Sequence, residues 1–173
     1  TLKSFSRGSR HLQQRETFAL SDAVDEAIHL LRLTHKHDGI CFDGSCPTGI
    51  VLTGNRQELS QVLVNLLSNA ADASKPGDRV DLLARTDGGD AIIEVMDRGQ
   101  GIPEELRETV FEPFYTTKPT GQGTGLGLSL ASKIIEDHGG KLTIDSQARL
   151  GTRVVVSLPL SAAGQRYESL ANH

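Results

Sequence analysis

The stretch that opens at Asn55 has one local structure open to it, and that structure constrains the rest of the chain. Leu59, Val62, Leu63, Leu66, Leu67, Ala70 and Ala73 recur at three- and four-residue spacing, which is the period of one face of an α-helix. Pro76 and Gly77 end the run, because a proline disfavours helical backbone at the residue before it. A helix apolar over so wide a face has to bury it against a second layer. The flanking segments supply that layer. Residues 18–20, 39–42 and 50–52 read as short strands, and 80–84 with 91–96 as a hairpin across the turn-rich 86–90. Ser21 is a suitable N-cap for a first helix carrying Val24, Ala27, Ile28, Leu30 and Leu31 to about Leu33. A short helix is predicted over 103–110, and a longer one over 126–138, ending at Gly139 and Gly140. A closing hairpin is expected from 141–146 and 152–158. The sum is an α/β (α+β) two-layer sandwich, a mixed and mostly antiparallel sheet packed on about three helices.

Composition narrows the class. With 173 residues, 37% of them apolar, the chain has material for one domain with a proper core. A net charge of −4 leaves no basic footprint for nucleic acid, and no apolar run approaches the length of a membrane span. Cys41 and Cys46 without a leading signal segment predict a cytosolic setting with reduced thiols, leaving open a membrane anchor in a longer parent. His35 and His37 sit near these cysteines, but the spacing fits no four-ligand zinc pattern, so this region reads as a turn with core cysteines. The ends, 1–14 and 161–173, lack periodicity and read as a linker and a tail around a domain of residues 17–160.

Four segments carry chemistry. Asn65 and Asn69 lie four residues apart with Asp72 three further on, along one stripe of the long helix. That stripe suits either a hard cation such as Mg²⁺ shared with phosphates, or a plain solvent-facing side. Asp97-Arg98-Gly99-Gln100-Gly101-Ile102 follows a strand. An ionised carboxylate only accepts hydrogen bonds, so Asp97 suits the exocyclic amine of adenine, and Gly99 and Gly101 would let the ring lie against bare backbone. An ordinary turn fits the same residues. Gly121-Gln122-Gly123-Thr124-Gly125-Leu126-Gly127 runs straight into a helix, where successive backbone N–H groups cradle phosphate oxygens. It is neither a Walker A loop nor a dinucleotide fingerprint. A flexible linker remains the alternative. Phe111-Glu112-Pro113-Phe114-Tyr115-Thr116-Thr117-Lys118 lies between the last two. Its aromatics can pin a mobile lid on the core, or simply be core, and Lys118 can reach terminal phosphates.

In this order the four segments resemble the nucleotide site of the histidine kinases in the GHKL superfamily, over residues 18–160. The resemblance implies the GHKL-type ATP-binding fold and an ATP site made of Asn65, Asn69, Asp72, Asp97, Gly99, Gly101, Ile102, Phe114, Thr117, Lys118, Gly121, Gly123, Thr124, Gly125, Leu126, Gly127, Leu128 and Thr152. It makes Asn69 the Mg²⁺ ligand and puts Thr152 near the adenine. Hydrolytic members carry a water-activating glutamate where this chain has Asn65; an amide takes no proton at neutral pH, so the site is expected to hold ATP for a better nucleophile. That nucleophile is implied to be a histidine on a separate dimerising hairpin, whose phosphate then passes to a response regulator. None of His11, His29, His35, His37, His138 and His173 sits in the family's acceptor pattern, and residues 1–16 resemble the far end of that hairpin and its exit linker. Asp72-Ala73 stands where many of these kinases have a basic or aromatic residue, which makes Lys118 the expected phosphate contact. The competing expectations are a GHKL-type ATPase and a nucleotide-sensing domain without kinase activity.

Overall fold

The computed structural model describes residues 15–34, 36–116, 118, 125 and 127–165. Strand β1 (Glu16–Ala19) leads into α1 (Leu20–Leu33), followed by β2 (Cys41–Ser45), β3 (Val51–Gly54), α2 (Arg56–Asp72), β4 (Arg79–Asp87), β5 (Asp90–Asp97), α3 (Gly127–Asp137), β6 (Lys141–Gln147) and β7 (Gly151–Pro159). Five strands form one mixed sheet in the order β2-β4-β5-β7-β6, and β1 and β3 form a separate pair. Only β2 and β4 run parallel within the larger sheet. The two-layer α/β expectation holds.

Alternation along the central strands assigns the layers. Val80, Leu82 and Ala84 of β4, Ala91, Ile93 and Val95 of β5, and Val154, Val156 and Leu158 of β7 are buried, as every second residue of a half-covered strand should be. Against them lie the buried sides of the helices: Ala23, Val24, Ala27, Ile28 and Leu31 of α1, Leu59, Val62, Leu63, Leu66 and Leu67 of α2, and Ala131, Ile134 and Ile135 of α3. Asn55 is the N-cap of α2, its Oδ1 accepting from the Glu58 N–H at 3.1 Å.

Several boundaries differ from the sequence expectation. Helix α1 begins at Leu20 with Ala19, not Ser21, as its N-cap residue and no side-chain cap. The Leu20 N–H donates to the Ile50 carbonyl at 2.9 Å, so the β1–β3 pairing runs directly into the first residue of the helix and satisfies one of its free amides. The helix expected over 103–110 is two 3₁₀ turns, Glu104–Leu106 and Thr109–Phe111. The expected tail belongs to the fold over its first residues: the Ser161 N–H donates to Val51 O at 2.9 Å, and 162–165 make a helical turn.

On the sheet face away from the helices, Glu94 is only 5% exposed. Arg153 covers it through a bidentate pair, Nη2 to Oε1 at 2.6 Å and Nε to Oε2 at 3.1 Å, with Arg85 Nη2 at 3.6 Å. The hydrogen bonds from Arg153 outweigh burial and hold the Glu94 carboxyl below the usual carboxylate range. The stability this supplies is present above the unfolded-state value and is lost as pH falls through the lowered one. Glu94→Gln is therefore expected to cost about 1 kcal/mol near pH 7, since Arg153 stays partly in water, and to flatten the acid limb. Urea midpoints measured from pH 7 to pH 3 check this; an unchanged acid limb contradicts it.

Candidate functional site

Asp97 ends β5 directly opposite Thr152 of β7, so the two side chains share the helix-covered face of the sheet. Asp97 is 8% exposed, and its Oδ1 accepts from the Gly99 N–H at 2.8 Å. Burial pushes its carboxyl above the ordinary value, against the pull of the Gly99 and Thr152 amides. An acceptor kept this dry is costly to ionise without a ligand, a trait of binding sites.

The turn after Asp97 is clamped from two sides. The Gln100 N–H donates to Ala73 O at 3.2 Å, and the Arg149 N–H to Gln100 O at 2.7 Å. A Cβ on Gly99 would lie 2.1 Å from Ala73 O, and one on Gly101, where φ is +67°, 1.9 Å from Gln147 O. These glycines are thus demanded by the chain's own backbone, whatever a ligand asks of them. Beneath the turn lies Ser146, 3% exposed. Its Oγ accepts from the Ile102 N–H at 2.8 Å, donates to Gly151 O at 2.9 Å and meets Thr152 Oγ1 at 2.9 Å. Since Ser146 has one proton and Gly151 O takes it, the Thr152 hydroxyl donates to Ser146 and keeps its own oxygen as an acceptor.

The polar stripe of α2 divides. Asn65 faces the first residue of α3: a Cβ on Gly127 would stand 2.5 Å from Asn65 Oδ1. Asn69 and Asp72 instead share Lys118, whose Nζ donates to Asp72 Oδ2 and lies 3.4 Å from Asn69 Oδ1. Lys36 Nζ and His37 Nδ1 approach the other Asp72 oxygen at 3.5 and 3.6 Å. His37 also meets Ser68 Oγ at 3.1 Å through Nε2, and burial holds it below the usual imidazole value although Asp72 pulls the other way. An ammonium set among amide and carboxylate oxygens marks a place whose donors suit a hard cation. Phe111 packs on the core, but Phe114 is 76% exposed with φ +67°, so Phe114 does not pin the segment. Its backbone instead closes on Gly125, where a Cβ would lie 2.3 Å from the Phe114 carbonyl carbon.

A family model described as histidine kinase-, DNA gyrase B- and HSP90-like ATPase matches residues 54–162. The chain belongs to this family. It is 34% identical over 156 residues to nitrogen regulation protein NtrY of Azorhizobium caulinodans, covering 86% of the chain and 20% of NtrY. It is 40% identical over 174 residues to sensor kinase CckA of Brucella abortus, covering 91% of the chain and 18% of CckA. The chain thus spans about a fifth of the length of these relatives. Among solved structures it is similar to a mycobacterial sensor histidine kinase, MprB, with TM-score 0.75, 30% identity, and 85% of this chain and 98% of that one covered. The catalytic domain of histidine kinase ThkA gives TM-score 0.72 and 32% identity over 84% and 95% of the two chains.

Of the residues expected at an ATP site, the structure gathers Asp97, Gly99, Gly101, Ile102 and Thr152 around the turn after β5, a floor, and sets Asn65 against Gly127, Asn69 and Asp72 on Lys118, a wall, with Gly125 against Phe114. Leu128 packs against the core from the first turn of α3. Thr117, Gly121, Gly123, Thr124 and Leu126 lie outside the described residues. Sequence reasoning passed over Ser146, Ala73 and Gly151: a serine in a strand 44 residues from its partner Ile102 gives no local signal, and carbonyl acceptors give none at all. Ser146→Ala is expected to leave the Ile102 N–H without its partner and to cost about 1–3 kcal/mol. Chemical denaturation measures this, and a loss under a few tenths contradicts the assigned role.

Proposed function

We propose that this chain is the ATP-binding catalytic domain of a sensor histidine kinase in a two-component system, working with ATP and Mg²⁺ on the cytoplasmic side. Asn65 carries the reading. Beside the start of α3, where a hydrolase needs a base for water, it presents an amide, which accepts no proton at neutral pH. CckA, MprB and ThkA bear sensor or histidine kinase names, and ThkA is known in complex with response regulator protein TrrA. The partners follow by analogy: a dimerisation domain bearing the acceptor histidine in a full-length homodimer, and a response-regulator receiver domain.

The residues divide the work. Asp97 accepts from the adenine amine, and Thr152, its proton committed to Ser146, offers a second acceptor beside it. Asn69, with Asp72 next to it, would hold Mg²⁺, which when bound supplies charge neutralisation at the phosphate oxygens. Lys118, at present on Asn69 and Asp72, turns to the terminal phosphates. The N-terminus of α3 adds backbone N–H groups and the positive end of its dipole. The reaction is attack of a neutral imidazole nitrogen on the γ-phosphorus: an N–P bond forms, the bond to the β,γ-bridging oxygen breaks, and ADP leaves. Positioning and charge neutralisation supply most of the rate in such transfers.

Two measurements test this. In calorimetric titrations Asp97→Asn should weaken ATP binding sharply while the ligand-free domain stays at least as stable, because the variant removes a carboxylate that burial makes costly to ionise; Asn69→Ala should abolish the Mg²⁺ dependence of binding. Unchanged ATP affinity in the first variant removes the adenine assignment. Mixed with labelled ATP and an acceptor hairpin, the chain should yield an acid-labile phosphohistidine. Steady phosphate release without transfer would favour an ATPase, and binding without either a nucleotide sensor.

A further inference from the structure

His138 follows the last residue of α3, and both its ring nitrogens are committed. Nδ1 lies 2.8 Å from Ile134 O, and Nε2 lies 3.0 Å from the backbone N of Asn55. A carbonyl only accepts and an amide N–H only donates, so Nδ1 donates to Ile134 O and Nε2 accepts from the Asn55 N–H. The ring occupies the space a side chain would need at position 54: a Cβ on Gly54 would stand 2.4 Å from His138 Cδ2. Asn55 is the residue whose side chain caps α2. His138 therefore joins the end of α3 to the beginning of α2, and at the other end of the helix pair Asn65 Oδ1 sits beneath Gly127, the first residue of α3. Two seats fix α3 along α2.

We infer that His138 is a positioning residue for the phosphate half of the nucleotide site: by holding the end of α3 on Asn55 it sets where the start of α3 stands relative to Asn65 and Asn69. The inference rests on the ATP reading above. It is specific to one half of the site, because the Asp97 turn is attached elsewhere. Helix α2 is tied to that turn at its other end, where Ala73 O accepts from the Gln100 N–H at 3.2 Å, and Asp97 and Thr152 belong to the sheet. Over 11 residues α3 is about 16 Å long at the usual rise per residue. A rigid rod released at one end shifts at the other, and oriented contacts to phosphate weaken with displacements on the order of 1 Å.

The test uses His138→Leu, which removes the acceptor facing the Asn55 N–H, and His138→Gln, whose side-chain amide can both accept and donate. Mg·ATP is titrated calorimetrically and adenosine by NMR on variants first shown to be folded by thermal melting. Expected are a roughly tenfold loss of ATP affinity in His138→Leu, the scale of one misplaced charge-assisted hydrogen bond, adenosine affinity within about twofold of wild type, and recovery of most of the ATP affinity in His138→Gln. Equal losses for ATP and adenosine in a folded variant, or no loss for ATP, overturn the inference. Should His138→Leu not fold, Gly54→Ala presses a methyl group into the ring's place and is read against the same outcomes. A wild-type chain that binds neither ligand sinks the ATP reading itself, a result distinct from any contrast between variants.

Discussion

Burial of one face of α2 decides where the polar groups of the site stand. Leu59, Val62, Leu63, Leu66 and Leu67 each bury nearly all their surface, at a gain of roughly 1.5–3 kcal/mol per side chain, and together they leave α2 a single rotation on the sheet. Asn65, Asn69 and Asp72 then have no freedom of direction. They emerge along the margin of the buried face, Asn65 and Asn69 half-buried and Asp72 exposed, on a helix whose end meets the turn that follows β5 through Ala73. The amides are held by packing on their own helix, and preorganisation of that kind is what a site for a small cation and phosphates requires.

The floor of the site shows the opposite economy, in which polar groups are buried and then satisfied one by one. Ser146 uses its hydroxyl three times, on Ile102, Gly151 and Thr152, and so ties the Asp97 turn to the β6–β7 hairpin. Asp97 is left less than fully compensated, with burial outweighing the two amides that face it. A buried acceptor short of donors is a cost to the empty domain that a ligand's amine removes. Stability and binding pull in opposite directions at this one residue.

The wall is built around charge. Asp72 meets Lys118, Lys36 and His37, so a carboxylate that reads from the sequence as a third polar group of the stripe serves as the hub of a basic cluster. Lys118, placed by sequence reasoning at the phosphates, stands on the oxygens expected to hold the metal. In the proposed reading the two cations exchange partners, the lysine passing to phosphate oxygens as magnesium takes Asn69. With Asn65 rather than a carboxylate beside α3, the wall offers water no base.

The long helix, the hairpins, the sandwich class and the four chemistry-bearing segments are written in local pattern, because apolar period, turn chemistry and glycine spacing are properties of neighbours in the chain. So is Asn55 as a helix cap, whose partner is three residues away. Contacts between distant segments were not legible. Ser21 has the chemistry of a cap, but the helix starts a residue earlier, at Leu20, whose N–H is held by Ile50 O; Phe114 has the chemistry of a core anchor, but it lies 76% exposed at φ +67°. Gly99 and Gly101 also have to be glycines because Ala73 and Gln147 leave no room for a Cβ, a constraint from distant backbone that the local motif does not show. The sequence by itself determined the long helices and hairpins and which residue types a nucleotide site could draw on, since short-range sterics and hydrogen-bond inventories are local. Only tertiary structure decided that Ser146 braces the floor, that Asp72 gathers the basic groups and that His138 joins two helices, because each depends on atoms brought within 3–4 Å by the burial of side chains far away in the chain.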